Sequence, residues 1–167
     1  MASELKNLSE YSETGIAINN IEKNYKIGIA VSEWNQAVTA NLAEGSINTL
    51  KKYGYESGDI ILKSVPGSFE LPLAAKYLIE ISKVDAVICL GCVIQGETRH
   101  FDYVCSGVTQ GIMDINLQTG IPVAFGLLTT NNLQQALDRS GGKLGNKGDE
   151  AAVAVLKMLF MKNDLKK

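Results

Sequence analysis

Ala86-Val-Ile-Cys-Leu-Gly-Cys-Val-Ile-Gln-Gly-Glu-Thr-Arg-His-Phe-Asp-Tyr-Val104 is the stretch from which the fold is read. Its first half, Ala86 to Ile94, is an apolar, β-branched run of the kind that forms a strand buried on both faces. The run gives way to Gly96-Glu97-Thr98, then to His100, the only histidine in the chain, and then to a pattern of helical period. A strand that stops at a glycine turn before a helix delivers polar groups to the carboxyl edge of a sheet. In open α/β folds that edge is where small molecules bind. Histidine changes charge near neutrality, so one at that edge is a candidate proton carrier. A single loop histidine is more often an ordinary surface residue, and the case depends on whether other segments reach the same place.

They repeat the same plan outward from this stretch. Upstream, Lys26–Val31 reads as a buried strand, followed by Ser32-Glu33-Trp34-Asn35 with the only tryptophan. A helix is expected from about Gln36 to Tyr53, with Ala43, Ile47 and Leu50 on one face and Gly54 stopping it. Asp59–Val65 is a second strand, and Pro66-Gly67-Ser68-Phe69-Glu70 its loop. Pro72 then sits in the first turn of a helix whose Leu71, Ala74, Ala75 and Leu78 share a stripe. Downstream, Val104, Val108, Gly111, Ile112 and Ile115 form the inward stripe of a helix ending at Gly120. Pro122–Leu128 is a fourth strand, and Thr130 to Asn132 opens a short helix reaching Arg139. Gly141 to Gly148 reads as a glycine-rich link before a last helix, with Ala152, Val155, Leu156 and Leu159 inward. Four strand–helix alternations predict an α/β, three-layer domain over 26–167, with a four-stranded parallel sheet flanked by helices. Residues 1–25 read as an arm. Its short alternation at Ile16, Ala17 and Ile18 suits either a frayed terminus or a strand added to a neighbouring subunit's sheet.

Composition narrows the function classes. The 167 residues, 46% of them hydrophobic, suffice for one sizeable core. A formal charge of −2 provides no electrostatic footprint for nucleic acid or anionic membrane. No apolar run is long enough to span a bilayer and no secretory pattern opens the chain, so the expected location is cytoplasmic. Cys89, Cys92 and Cys105 are an odd set in apolar surroundings and read as reduced core residues. Cys89 and Cys92 resemble a redox pair in spacing only. They lie on a strand rather than at a helix start, and an odd separation sends their side chains to opposite faces. With one histidine and no further cysteine cluster, no metal site is expected.

Parallel connections bring the loops after all four strands to one edge. Trp34 and Phe69 could sandwich a flat heterocycle there, although packing explains either alone. Glu70 could fix hydroxyl or amino groups, or simply favour its own helix dipole. Gly96 to Thr98 offers backbone N–H groups to an anion. The two arginines stand out against fourteen lysines: Arg99 adjoins that turn, and Arg139 ends the short helix. The Gly141–Gly148 link is no nucleotide phosphate loop, since it follows a helix and lacks a Gly-Lys-Ser/Thr ending.

Pro66-Gly-Ser-Phe-Glu70, Gly91-Cys-Val-Ile-Gln-Gly-Glu-Thr-Arg-His-Phe-Asp-Tyr-Val104, Phe125-Gly-Leu-Leu-Thr-Thr130 and Gly145-Asn-Lys-Gly148 together resemble the 6,7-dimethyl-8-ribityllumazine synthase family. The resemblance runs from about Lys26 to Met161. It implies a flavodoxin-like fold and a transferase of riboflavin biosynthesis that needs no cofactor and no metal. That activity joins 5-amino-6-(D-ribitylamino)uracil to 3,4-dihydroxy-2-butanone 4-phosphate, releasing phosphate and water. By position, Trp34 would stack on the pyrimidine. Ser68, Phe69 and Glu70, with the backbone of Cys92, Val93 and Ile94, would bind the ribityl-pyrimidine. Glu97 and Thr98 would hold the phosphate of the second substrate, and His100 would carry protons. Phe125, Lys143 and Arg139 would reach the site from the neighbouring subunit, with Arg139 on the phosphate.

The same resemblance implies a homo-oligomer, pentameric or a shell of twelve pentamers, with riboflavin synthase as pathway partner. In the family an insertion between the last two helices accompanies lone pentamers. Ser140 to Gly148 has none, which points to a sixty-subunit icosahedral capsid. Two departures stand out: Arg99 replaces a small residue or proline, and Trp34 offers a larger stacking face that suits flavin-like ligands. Two rivals remain. One is a flavodoxin-type flavin module, disfavoured because Ser32 to Gln36 is no phosphate loop. The other is a catalytically reduced flavin- or lumazine-binding or shell-forming protein on the same fold.

Overall fold

The computed structural model describes residues 25–166. Four parallel strands form the central sheet: β1 (Ile27–Ser32), β2 (Ile60–Val65), β3 (Ala86–Ile94) and β4 (Val123–Thr130), in the order β2-β1-β3-β4. Between them run α1 (Gln36–Lys52), α2 (Leu71–Glu80) and α3 (His100–Thr119). After β4 come a one-turn helix α4 (Leu133–Leu137) and a small antiparallel ribbon of β5 (Ser140–Gly142) and β6 (Gly145–Asn146). The chain then enters α5 (Lys147–Asp164). The expected arm over the first residues lies outside the described part.

Side-chain alternation divides the core into two layers. Successive residues of a strand face opposite sides of the sheet. On one side Ile27, Ile29, Ile88, Leu90 and Cys92 pack against Val38, Leu42 and Leu50 of α1 and Ala152, Val155, Leu156 and Leu159 of α5. On the other, Ala30, Val87, Cys89, Val123 and Leu127 meet Leu71, Ala75 and Leu78 of α2 and Val108, Ile112 and Ile115 of α3. Cys89 and Cys92 therefore fall into different layers, as their spacing predicts.

β3 occupies the predicted residues, and three features differ from expectation. β2 is an edge strand with Leu62, Lys63 and Ser64 exposed, and a 3-10 turn at Ser57–Asp59 precedes it. The glycine-rich link is a structured ribbon rather than an irregular connection. Gly141 and Gly145 hold φ of 108° and 83°, a left-handed backbone that glycine adopts freely, and this folds β5 back on β6. The last helix thus starts at Lys147, inside the stretch read as link, where the Asn146 side chain accepts from the Gly148 N–H at 2.8 Å. Among the described residues no helix is long and apolar enough to cross a membrane.

Candidate active site

The sheet order sets the location of the site. From β1 the chain moves to β2 on one side, and from β3 to β4 on the other, so the carboxyl ends of β1 and β3 flank the topological switch point. A cavity of about 650 Å³ opens there. Trp34 and Asn35 line it from the loop after β1, Gly67 to Glu70 from the loop after β2, and Cys92 to Ile94 from the end of β3. His100, Tyr103 and Val104 line it from the first turns of α3.

Each wall has a local cause. Ser68–Glu70 winds into a 3-10 turn, and a Glu70 carboxylate oxygen accepts from the Gly67 N–H at 3.0 Å. This closes the turn and leads into α2 with Pro72 near its start. Phe69 remains 59% exposed, its ring edge seated over Gly107 of α3, where a Cβ would come within 2.8 Å of Cε2. Trp34 is 73% exposed at the opposite rim. Ser68 is only 5% exposed, and its hydroxyl has no hydrogen-bond partner. A buried unpaired hydroxyl costs about 1–3 kcal/mol, and this one lies against Gly91, where a Cβ would come within 2.6 Å of Oγ. His100 opens α3, and the Thr98 hydroxyl oxygen accepts from its backbone N–H at 3.4 Å.

Of the residues singled out from sequence, Trp34, Ser68, Phe69, Glu70, Cys92, Val93, Ile94 and His100 come together around this cavity. Glu97 and Thr98 sit in the exposed turn just before α3 and do not line it. Phe125 is in register with Cys89, well back from the end of β4, and is 40% exposed. Arg139 stands between α4 and the ribbon, Lys143 in the turn that joins β5 to β6, and both are absent from the lining. Arg139 donates through Nη1 to the Gln135 carbonyl at 3.0 Å, and Lys143 pairs with Asp138 at 3.1 Å. Hydrogen bonds from Gln134 and then Lys143 hold the Asp138 carboxyl below the usual carboxylate range. Among the described residues no group of three or more His, Cys, Asp or Glu side chains is arranged to hold a metal ion.

Sequence reasoning missed Asn35 and Tyr103. Tyr103 and Val104 follow His100 by three and four positions, a spacing that puts all three on one helical face. Starting the helix at His100 rather than reading inward from Val104 would have found them.

A family model described as 6,7-dimethyl-8-ribityllumazine synthase matches residues 24–163. The chain is 52% identical over 167 residues to the protein of that name from Phocaeicola vulgatus, covering all of this chain and 98% of the relative. It is 55% identical over 159 residues to that of Parabacteroides distasonis, covering 95% of this chain and 98% of the relative. The protein of the same name from Cytophaga hutchinsonii is 54% identical over 159 residues, with 95% and 98% covered. The chain belongs to the 6,7-dimethyl-8-ribityllumazine synthase family.

In this family member the cysteine beside the cavity is not poised for nucleophilic chemistry. Burial pushes the Cys92 thiol from its usual 9.0 to about 11 and Cys89 to about 12. A thiolate is the reactive form, so neither forms one readily near neutral pH. Both are expected to resist alkylation at about pH 8 in the folded protein and to react on denaturation, as mass spectrometry would show. The same shifts set a pH dependence. Above about pH 9 the unfolded chain loses thiol protons that the folded chain retains, so stability declines from there toward about pH 12. Burial also raises Tyr55 from 10.0 to about 12 and extends the trend. A denaturation midpoint at about pH 10 no lower than at about pH 8 would contradict this.

Proposed function

We propose that the protein condenses 5-amino-6-(D-ribitylamino)uracil with 3,4-dihydroxy-2-butanone 4-phosphate to 6,7-dimethyl-8-ribityllumazine, releasing phosphate and water. The observation that carries this reading is the cavity itself. An aromatic face at Trp34, the Ser68–Glu70 turn and the lone imidazole of His100 surround one cavity, in a chain of this family. A heterocycle stacked on Trp34 and beside Phe69 would extend its polyhydroxyl chain toward Ser68 and Glu70. Its ring edge would meet the backbone of Cys92, Val93 and Ile94. The turn of Glu97 and Thr98 would receive the phosphate before α3, where unpaired helix N–H groups favour an anion.

The chemistry then needs little beyond placement and proton transfer. An amine of the pyrimidine attacks the carbonyl of the four-carbon substrate and an imine forms with loss of one water. Phosphate leaves, and the second amine closes the ring with loss of water. Holding both reactants in attack geometry can supply on the order of 7–11 kcal/mol. A positioned imidazole adds about 10²–10⁴-fold at best, and His100 performs that transfer. His100→Ala is therefore expected to lower kcat by about ten- to a hundredfold. Full activity of that variant across pH would remove His100 from the mechanism.

Phe125, Lys143 and Arg139 do not line the cavity of their own chain, and we assign them to the site of a neighbouring copy. That assignment requires an oligomer, a pentamer assembled into a sixty-subunit capsid. The exposed Leu73, Tyr77 and Ile81 on and just after α2, with Met113 and Leu117 on α3, provide apolar area for such contacts. The exposed edge of β2 could take a strand from a neighbour's arm. Light scattering should give the mass of sixty 18.0 kDa chains. A cytoplasmic address suits this small-molecule synthesis, with riboflavin synthase drawing off the product. Incubating the protein with both substrates and following lumazine absorbance tests the central claim, and no absorbance change would refute it.

A further inference from the structure

We propose that Asn35 is a positioning residue that fixes the chain's sole tryptophan as one wall of the cavity. The proposal deepens the reading of this cavity as the pyrimidine site and rests on it for its kinetic consequence.

Asn35 adopts φ 60° and ψ 45°, a left-handed backbone that is costly for any residue with a side chain and least so for asparagine. It stands at the N-cap of α1, where its carbonyl accepts from the Val38 and Thr39 N–H groups at 2.8 and 3.1 Å. An asparagine there ordinarily turns its side chain onto the first-turn N–H groups of its own helix. This one makes no such bond. Its Nδ2 instead donates to the backbone carbonyl of Cys92 at 2.9 Å.

That carbonyl lies just past the point where β1 stops. The pairing of β1 with β3 ends at Val31 and Leu90, two residues before Cys92. The Asn35 amide therefore extends the sheet's hydrogen bonding beyond the last paired strand residue. A strained backbone and a diverted cap coincide at the cavity lining, the setting in which local strain is retained for function.

The consequence falls on Trp34. Its indole is 73% exposed within the single chain, so the chain's own packing does little to hold it. The adjoining residue is tied to β3, whose final residues Cys92 to Ile94 line the same cavity. Asn35 thus sets the distance between the stacking face and the backbone that meets the ring edge.

Two variants of the full-length protein test this. Asn35→Asp keeps the shape and the left-handed tolerance but replaces the donor with a carboxylate facing a carbonyl. Asn35→Gly keeps the backbone and removes the side chain. Fluorescence anisotropy of the single tryptophan, measured without substrate, is expected to fall in both. The KM for 5-amino-6-(D-ribitylamino)uracil should rise about tenfold, with kcat within about threefold and the KM for the butanone phosphate unchanged. If either variant fails to fold, the other decides. Wild-type anisotropy and KM in a folded variant would overturn the clamp, as would a loss confined to kcat. Inactivity of the unaltered protein would instead refute the proposed reaction, and the anisotropy comparison would still decide the role of Asn35.

Discussion

Arg139→Ala, at the arginine proposed to hold the phosphate, is expected to raise the KM for 3,4-dihydroxy-2-butanone 4-phosphate by about a hundredfold or more, while the KM for the pyrimidine changes little. The expectation rests on chemistry and placement. A guanidinium can meet a phosphate through two parallel charge-assisted hydrogen bonds, and each bond to a charged group contributes about 1.5–3 kcal/mol. Arg139 is well prepared to present that fork. Its backbone N–H donates to the Ala136 carbonyl at 3.1 Å, its own carbonyl accepts from Lys147 at 2.9 Å, and Nη1 rests on Gln135. The segment is thus pinned between α4 and α5. Arg139→Lys should recover part of the loss, because a point charge restores attraction without the paired geometry. Steady-state kinetics with each substrate varied in turn provide the check. An unchanged KM for the phosphate substrate would remove Arg139 from the site.

Gly148→Ala should destabilise the fold by about 3–5 kcal/mol, the largest stability effect expected of any single methyl here. Gly148 lies in the first turn of α5, directly against α1. A Cβ built there would press into the Leu42 carbonyl, with the carbonyl carbon only 2.8 Å away. The obstacle is helical backbone, which cannot rotate aside as a side chain would. The contact is also stapled from both helices. Ser46 Oγ donates to the Gly148 carbonyl at 2.8 Å, and Asn146 Nδ2 donates to the Asn41 carbonyl at 2.9 Å. Moving α5 outward to admit a methyl would loosen both bonds and the Ala152 and Leu156 packing behind them. For a chain of this size each kcal/mol corresponds to about 2–4 °C, so Tm should fall by roughly 6–20 °C. A Tm within about 2 °C of the parent would show that the two helices separate more easily than this geometry implies.

The parts of the fold legible in the sequence were those where one physical signal dominates. β3 is buried along most of its length, so its apolar run marked both ends. The inward stripes of α2, α3 and α5 followed from 3.6-residue periodicity and reappear as buried residues, except Ala74, Val104 and Gly111, which are only partly buried. Edges were harder to read. β2 is as apolar as its neighbours over Ile60 to Leu62, but its outer side meets no strand of the described chain, and composition does not record which strand lies outermost. The β5–β6 ribbon was hidden because glycine marks a turn without saying whether its flanks pair. At the candidate site, parallel topology alone brought Trp34, Phe69 and His100 to one edge. Asn35 carried no periodic signal, and its importance appears only in the bond that its side chain makes to a residue 57 positions away.

The separation of Cys89 and Cys92 into different layers has a use beyond the chemistry of the thiols. Each sulfur is a native tag on one helical sandwich half: Cys89 beneath α2 and α3, Cys92 beneath α1 and α5. Under mild denaturant, pulse labelling would time-stamp the moment each half first admits solvent. Equal rates would mean the sheet and both coverings open as one cooperative unit, whereas unequal rates would reveal two foldons and say which detaches first.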